Sequence, residues 1–197
     1  FRILVVVSPT QGRRRASCTI AHEALPIYTV IAPLCREARV VDQLLSAIER
    51  LDYPAEKLDV IVIVEADEPA THAAITRRKH RLPITVVPAP PAGPRTKPKA
   101  LNIALELARG SFVAIYDAED RPESRQLRRA LEAFRSAGDD LACVQAALCI
   151  DTDTTWLARY FTAEYAGHFD VFLPKLAGFG LPLPLGGSSN HFRTAVL

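Results

Sequence analysis

Apolar residues change their spacing repeatedly along this chain, and each change marks a switch between strand and helix. Short continuous apolar runs at 27–31, 58–64, 84–87 and 112–116 predict strands. Between the first two, Val40, Val41, Leu44, Leu45, Ile48 and Leu51 recur at helical spacing, with polar residues on the remaining positions. Ala100, Leu101, Ala104, Leu105 and Ala108 do the same before the fourth strand. After that strand, Pro122 suits a first helical position, Leu127, Ala130, Leu131 and Phe134 make an apolar face, and Gly138 ends the helix. The run 141–150 predicts one more strand, and beyond it the pattern changes. Strands alternating with helices imply an α/β fold on a largely parallel sheet flanked by helices.

The 197 residues suit a single domain with one site. Lysine and arginine number 24 against 22 acidic residues, so no global field draws nucleic acid. Cys18, Cys35, Cys143 and Cys149 contain no CxxC pair and read as buried thiols in a reducing compartment. The chain starts at Phe1 and has no methionine, so it is expected to be a piece of a longer protein, with truncation expected at both ends. Residues 1–7 are apolar and Arg13, Arg14 and Arg15 follow them. That is either the cytoplasmic end of a membrane helix or an edge strand and a basic loop, since seven residues cannot span a bilayer.

In an open parallel sheet, ligands bind beyond the carboxyl ends of the strands. Three segments there carry candidate chemistry. Glu65, Asp67 and Glu68 bring carboxylates to the end of the second strand, either to hydrogen-bond a ribose or base or as a solvated turn into a helix. Asp117, Glu119 and Asp120 follow the fourth strand and can converge on a hard divalent cation, or cap the next helix. Arg95, Lys97 and Lys99 lie at the positive end of a helix, where anions are favoured. Pro88, Pro90, Pro91 and Pro94 offer the other reading, a polyproline linker. The basic run 77–81 reads as a solvated helix end. Ser188 or Ser189 with His191 lacks the GxSxG setting of a hydrolase nucleophile.

In this order the pieces resemble the family 2 glycosyltransferases, particularly the membrane-embedded synthases related to cellulose, chitin and hyaluronan synthases, from about residue 28 to 197. The matching segments are Ala32-Pro33-Leu34-Cys35-Arg36-Glu37, the acidic loop from Glu65 to Asp67, Lys99 to Asn102, Asp117 to Asp120, Val144-Gln145-Ala146, and the glycine-containing stretch from Leu185 to Arg193. The resemblance implies a GT-A-like (Rossmann-like) fold in residues 26–197, with its C-terminal part missing and 1–25 a tail after a transmembrane segment. It implies an inverting enzyme that transfers sugar from a nucleotide-sugar, a UDP-sugar, to a glycan or lipid-linked acceptor. Nucleotide contacts are expected from Pro33, Glu37, Glu65, Asp67, Lys99 and Asp117. Asp117, with Glu119 or Asp120, is expected to hold Mg²⁺ or Mn²⁺, and Gly186, Gly187, Ser188, Asn190, His191 and Arg193 to face the acceptor.

The family's catalytic acidic motif and its QxxRW motif are expected after Leu197. The aromatics from Trp156 to Leu176 read as a membrane-interface segment or as a core helix. The expected location is the bacterial inner membrane, with the domain on its cytoplasmic face. Two other readings are a sugar nucleotidyltransferase, whose glycine-rich signature is absent from Ala32 to Glu37, and a noncatalytic nucleotide-binding module.

Overall fold

A computed structural model describes residues 20–151 and 154–197. The apolar start and the three arginines that follow it lie outside the described residues. Those described fall into two compact units, 20–145 with 187–197, and 146–186.

The first unit holds one six-stranded sheet. Four strands, β1 (Tyr28–Leu34), β2 (Leu58–Glu65), β3 (Ile84–Ala89) and β4 (Phe112–Ile115), run parallel. They are connected through α1 (Val41–Glu49), α2 (Pro69–Arg77) and α3 (Lys97–Leu105), and α4 (Gln126–Ala137) follows β4. Two short strands complete the sheet: β6 (Asn190–Arg193) runs antiparallel between β4 and β5 (Cys143–Gln145), in the order β3-β2-β1-β4-β6-β5.

Successive side chains of a strand point to opposite faces. Tyr28, Val30, Ala32 and Leu34 of β1, with Leu58, Val60, Val62 and Val64 of β2, therefore pack on one face against Leu44, Leu45 and Ile48 of α1 and Leu127 and Leu131 of α4. The intervening Ile31, Ile61 and Ile63 meet Ala100 and Ala104 of α3 on the other. Covering both faces is why these strands are apolar at consecutive positions rather than alternating.

Four expectations about the fold need correction. Among the described cysteines, expected to be buried, Cys35 and Cys149 are exposed and Cys143 is half-buried. Pro122 precedes α4, which begins only at Gln126. The strand expected over 141–150 shrinks to β5, because its ladder partner β6 is itself four residues long and backbone groups beyond it find no strand to pair with. The basic run is not a solvated end throughout. Arg78 donates to Ser46 Oγ at 2.8 Å and to Glu49 Oε2 at 2.6 Å, clasping the last turns of α1.

At the amino ends of the strands, Asp59 is buried and accepts from the Thr29 hydroxyl at 2.8 Å and from the backbone and guanidinium of Arg109. Gly110 follows, its N–H donating to the Thr29 hydroxyl at 2.9 Å. This network holds the starts of β1, β2 and β4 together and leaves their carboxyl ends for chemistry.

The second unit contains α5 (Trp156–Ala166), a π-helical turn (Gly167–Phe172) and α6 (Leu173–Gly178). Thr155 caps α5 by accepting from the Ala158 N–H at 3.1 Å. Phe169, Phe172, Leu173 and Leu176 pack together, whereas Trp156, Leu157, Tyr160 and Phe161 are exposed. Among the described residues no helix is long and apolar enough to cross a membrane.

Candidate functional site

The parallel strands deliver their carboxyl ends to one edge of the sheet. Because β6 runs antiparallel to β4, with Asn190 opposite Ile115, the residues that enter β6 arrive at that same edge. The Ser189 N–H donates to the Ile115 carbonyl at 2.8 Å. Asp117 and the 187–189 segment are thereby brought together across about 70 residues of sequence, a closure set by strand pairing rather than by any local motif.

Within the acidic loop the carboxylates have different tasks. Asp120 turns inward, and its Oδ2 accepts from the Asp117 N–H at 2.7 Å and from the Ser188 hydroxyl. Burial raises its pKa, opposed by those two hydrogen bonds. Ala118 is buried and Glu119 exposed. Asp117 is half-buried, and its carboxylate receives the ammonium of Lys97, which also donates to the Gly187 carbonyl. Two hard oxygens, from Asp117 and Gly187, thus already hold a positive charge.

The other expected donor-side residues are distributed as follows. Glu65 is buried at the end of β2, and its Oε2 has no hydrogen-bond partner among the described residues. Asp67 pairs with Arg95. Pro33 lies within β1, and the Glu37 carbonyl accepts the N–H groups of Val40 and Val41 at the entrance to α1. Lys99 turns away, donating to the Pro90 and Ala92 carbonyls and tying the proline-rich loop to α3. The lysine at Asp117 is Lys97, not Lys99, to which the resemblance gave the nucleotide contact. Residues two apart on a helix do not share a face, so only the rotation of α3 distinguishes them.

Of the residues expected to face an acceptor, Gly187, Ser188 and Asn190 stand at the entrance to β6, and Gly186 is exposed at the end of the 146–186 unit. His191 and Arg193 are corrections. Alternation along β6 sends His191 into the core, where its Nδ1 hydrogen-bonds the Tyr28 hydroxyl at 2.8 Å and its exposure is 0%. Arg193 pairs with Phe112, at the far end of β4 from Asp117, and donates to the Gly138 carbonyl at 2.9 Å beyond the end of α4. Ser188 and His191 each have another partner, so no hydrolase pair forms.

Burial pushes the His191 imidazole down from 6.5 to about 4. Between those values the unfolded chain binds the proton and the folded chain does not, so stability should fall as pH drops through that window, by at most about 3 kcal/mol. Urea midpoints across the window should fall less steeply in His191→Gln than in wild type. Equal slopes would assign the acid sensitivity to other groups.

Among the described residues, no group of three or more His, Cys, Asp and Glu side chains is placed to hold a metal ion. A small hard cation bound through one or two carboxylates and the phosphates of its substrate needs no such cage. The Asp117 carboxylate and Gly187 carbonyl fit that mode of binding.

Residues 26–197 match the model of a family described as glycosyltransferase like family 2. The chain is 26% identical over 142 residues to the probable glycosyltransferase YdaM of Bacillus subtilis (strain 168), covering 71% of this chain and 34% of that protein. A mannosyltransferase from Pyrobaculum calidifontis, PcManGT, solved in complex with GDP-Man and Mn²⁺, superposes with a TM-score of 0.58 at 29% identity, over 77% of this chain and 41% of its own. TarS 1-349 of S. aureus in complex with UDP shares the fold, with a TM-score of 0.60 at 19% identity, over 86% of this chain and 47% of its own. The chain therefore spans between a third and a half of the length of these proteins.

Proposed function

Since the chain belongs to glycosyltransferase-like family 2 and has the GT-A fold, we propose that it forms the donor-binding part of an inverting transferase that moves sugar from a UDP-sugar to a growing glycan or other acceptor. One observation carries the reading: at the carboxyl end of β4 the Asp117 carboxylate and the Gly187 carbonyl together hold the Lys97 ammonium.

Each residue then has a role. The buried, unpartnered Oε2 of Glu65 supplies an acceptor for the ribose or the base once the donor enters, with Asp67 nearby in sequence. Lys97 shifts from Asp117 to the diphosphate, which presents more negative charge than one carboxylate. Asp120 stays beneath the loop and holds Asp117 outward through its bond to the Asp117 N–H. Mg²⁺ or Mn²⁺ on Asp117, with Glu119 as the second carboxylate, would neutralise charge on the departing diphosphate. Gly187 and Ser188 border the side from which the acceptor hydroxyl approaches the anomeric carbon in a single displacement.

UDP should bind more tightly with Mn²⁺ than without it, because diphosphate and Asp117 repel until a cation lies between them. Titration calorimetry with UDP, and with GDP as comparison, measures this. Metal-independent binding of UDP would remove the metal from the proposal, and preference for GDP would change the donor.

A further inference from the structure

Glu68 immediately precedes α2, the position where a short polar side chain usually caps a helix. Its carboxylate makes no such bond. The side chain is buried and reaches to the loop after β1, where Oε2 accepts from the Arg36 N–H at 2.5 Å and Oε1 lies 3.5 Å from Cys35 Sγ. The Thr71 hydroxyl, one turn into α2, donates to the same carboxylate at 3.3 Å.

The residue it holds is unusual. Arg36 has φ of 61°, the left-handed region disfavoured for any residue with a Cβ. Glycine is the ordinary solution to such a reversal, and here an arginine is kept in it by a buried carboxylate on the neighbouring strand's exit. The reversal lies between Leu34, the last residue of β1, and Glu37, whose carbonyl starts the turn into α1. Because Leu34 lies opposite Val64 in the β1–β2 register, the reversal stands at the carboxyl end of the sheet next to Glu65.

We propose that Glu68 is a positioning residue for donor recognition: it fixes the Cys35-Arg36-Glu37 turn in the shape that receives the nucleotide, without itself touching it. The inference rests on the nucleotide-sugar reading of this crevice. Glu68→Ala leaves the Arg36 N–H without its acceptor and lets the turn relax to right-handed or extended backbone. Glu68→Gln keeps an oxygen at the same reach. Arg36→Gly removes the resistance to positive φ, so the turn then depends less on Glu68.

The experiment measures UDP affinity with Mn²⁺, and the thermal midpoint, for the wild-type chain, the three single variants and Glu68→Ala combined with Arg36→Gly. Glu68→Ala should weaken UDP by about tenfold, the scale of one hydrogen bond to a charged group. Glu68→Gln should recover most of that loss, and the effect of Glu68→Ala should shrink in the Arg36→Gly background. If Glu68→Ala does not fold, the Gln variant and the comparison between Arg36→Gly and the double variant decide. Affinity unchanged in Glu68→Ala, or an equal loss in both backgrounds, overturns the proposal while leaving nucleotide binding intact. Absence of UDP binding by the wild type overturns the nucleotide-sugar reading and this inference with it.

Discussion

Asp117→Asn should abolish the gain in UDP affinity that Mn²⁺ confers. The two side chains have nearly the same shape, so the change tests charge. A neutral amide gives a divalent cation no anionic oxygen, and it holds the Lys97 ammonium by a hydrogen bond without the ion pair. Losing an outer-shell partner of a bound metal typically weakens it by about 10- to 100-fold, so losing the ligand itself should cost at least about a hundredfold in UDP affinity measured with Mn²⁺. Without metal the variant should bind UDP as well as wild type or better, because one repulsion has gone. The fold should survive, since the bonds that shape the loop run through the Asp117 N–H and Asp120 rather than through the Asp117 carboxylate. Calorimetry with and without Mn²⁺ on both proteins checks each part. A variant that keeps the metal response would place the cation elsewhere.

Gly110→Ala should be among the most damaging single-methyl changes available in this fold. A Cβ there would lie 2.5 Å from the Thr29 nitrogen, 2.8 Å from the Phe112 carbonyl oxygen and 2.9 Å from the Ile27 carbonyl oxygen. All three are backbone atoms of β1 and β4 or the residue before them, so no side chain can swing aside. The strands must separate, and the Thr29, Asp59 and Arg109 network moves with them. Overpacking typically costs about 1–3 kcal/mol, and this site should reach or exceed about 3, a fall of roughly 6–12 °C in Tm for a domain of this size. Gly93→Ala is the matched control: its φ is 83°, but nothing lies within 4 Å of the added Cβ, so only local backbone strain is felt. Thermal melts of the two variants that gave equal losses would contradict the steric argument.

How much of this was legible in the sequence follows from how locally each feature is specified. The central strands were visible because a strand covered on both faces must be apolar at nearly every position, and the amphipathic helices because their period is internal. β6, reading Asn-His-Phe-Arg, carries no such signal; it is a strand only because β4 and β5 flank it. His191 and Arg193 were expected beside an acceptor through the resemblance alone; two apart on β6, they share one face of the sheet, where His191 meets Tyr28 in the core and Arg193 reaches past the end of α4. The acidic residues after β4 were found by their position, but their division of labour was not. Which carboxylate faces outward depends on Ser188, which the sheet delivers from far along the chain. Lys97 and Lys99 differ only by helix rotation, which is fixed by how Ala100 and Ala104 seat on the sheet.

The sheet order has a kinetic consequence. β4 pairs with β1 on one side, but its other neighbour is β6, drawn from beyond the whole 146–186 unit. During synthesis the parallel strands and their helices are available long before Asn190, and until it arrives β4 presents open backbone donors and acceptors along one side. An unpaired edge of that kind is a template for another chain, and pairings of such long sequence separation are slow to close. β6, the last of these six strands to be made, therefore closes the open side of β4 as well as one side of the site.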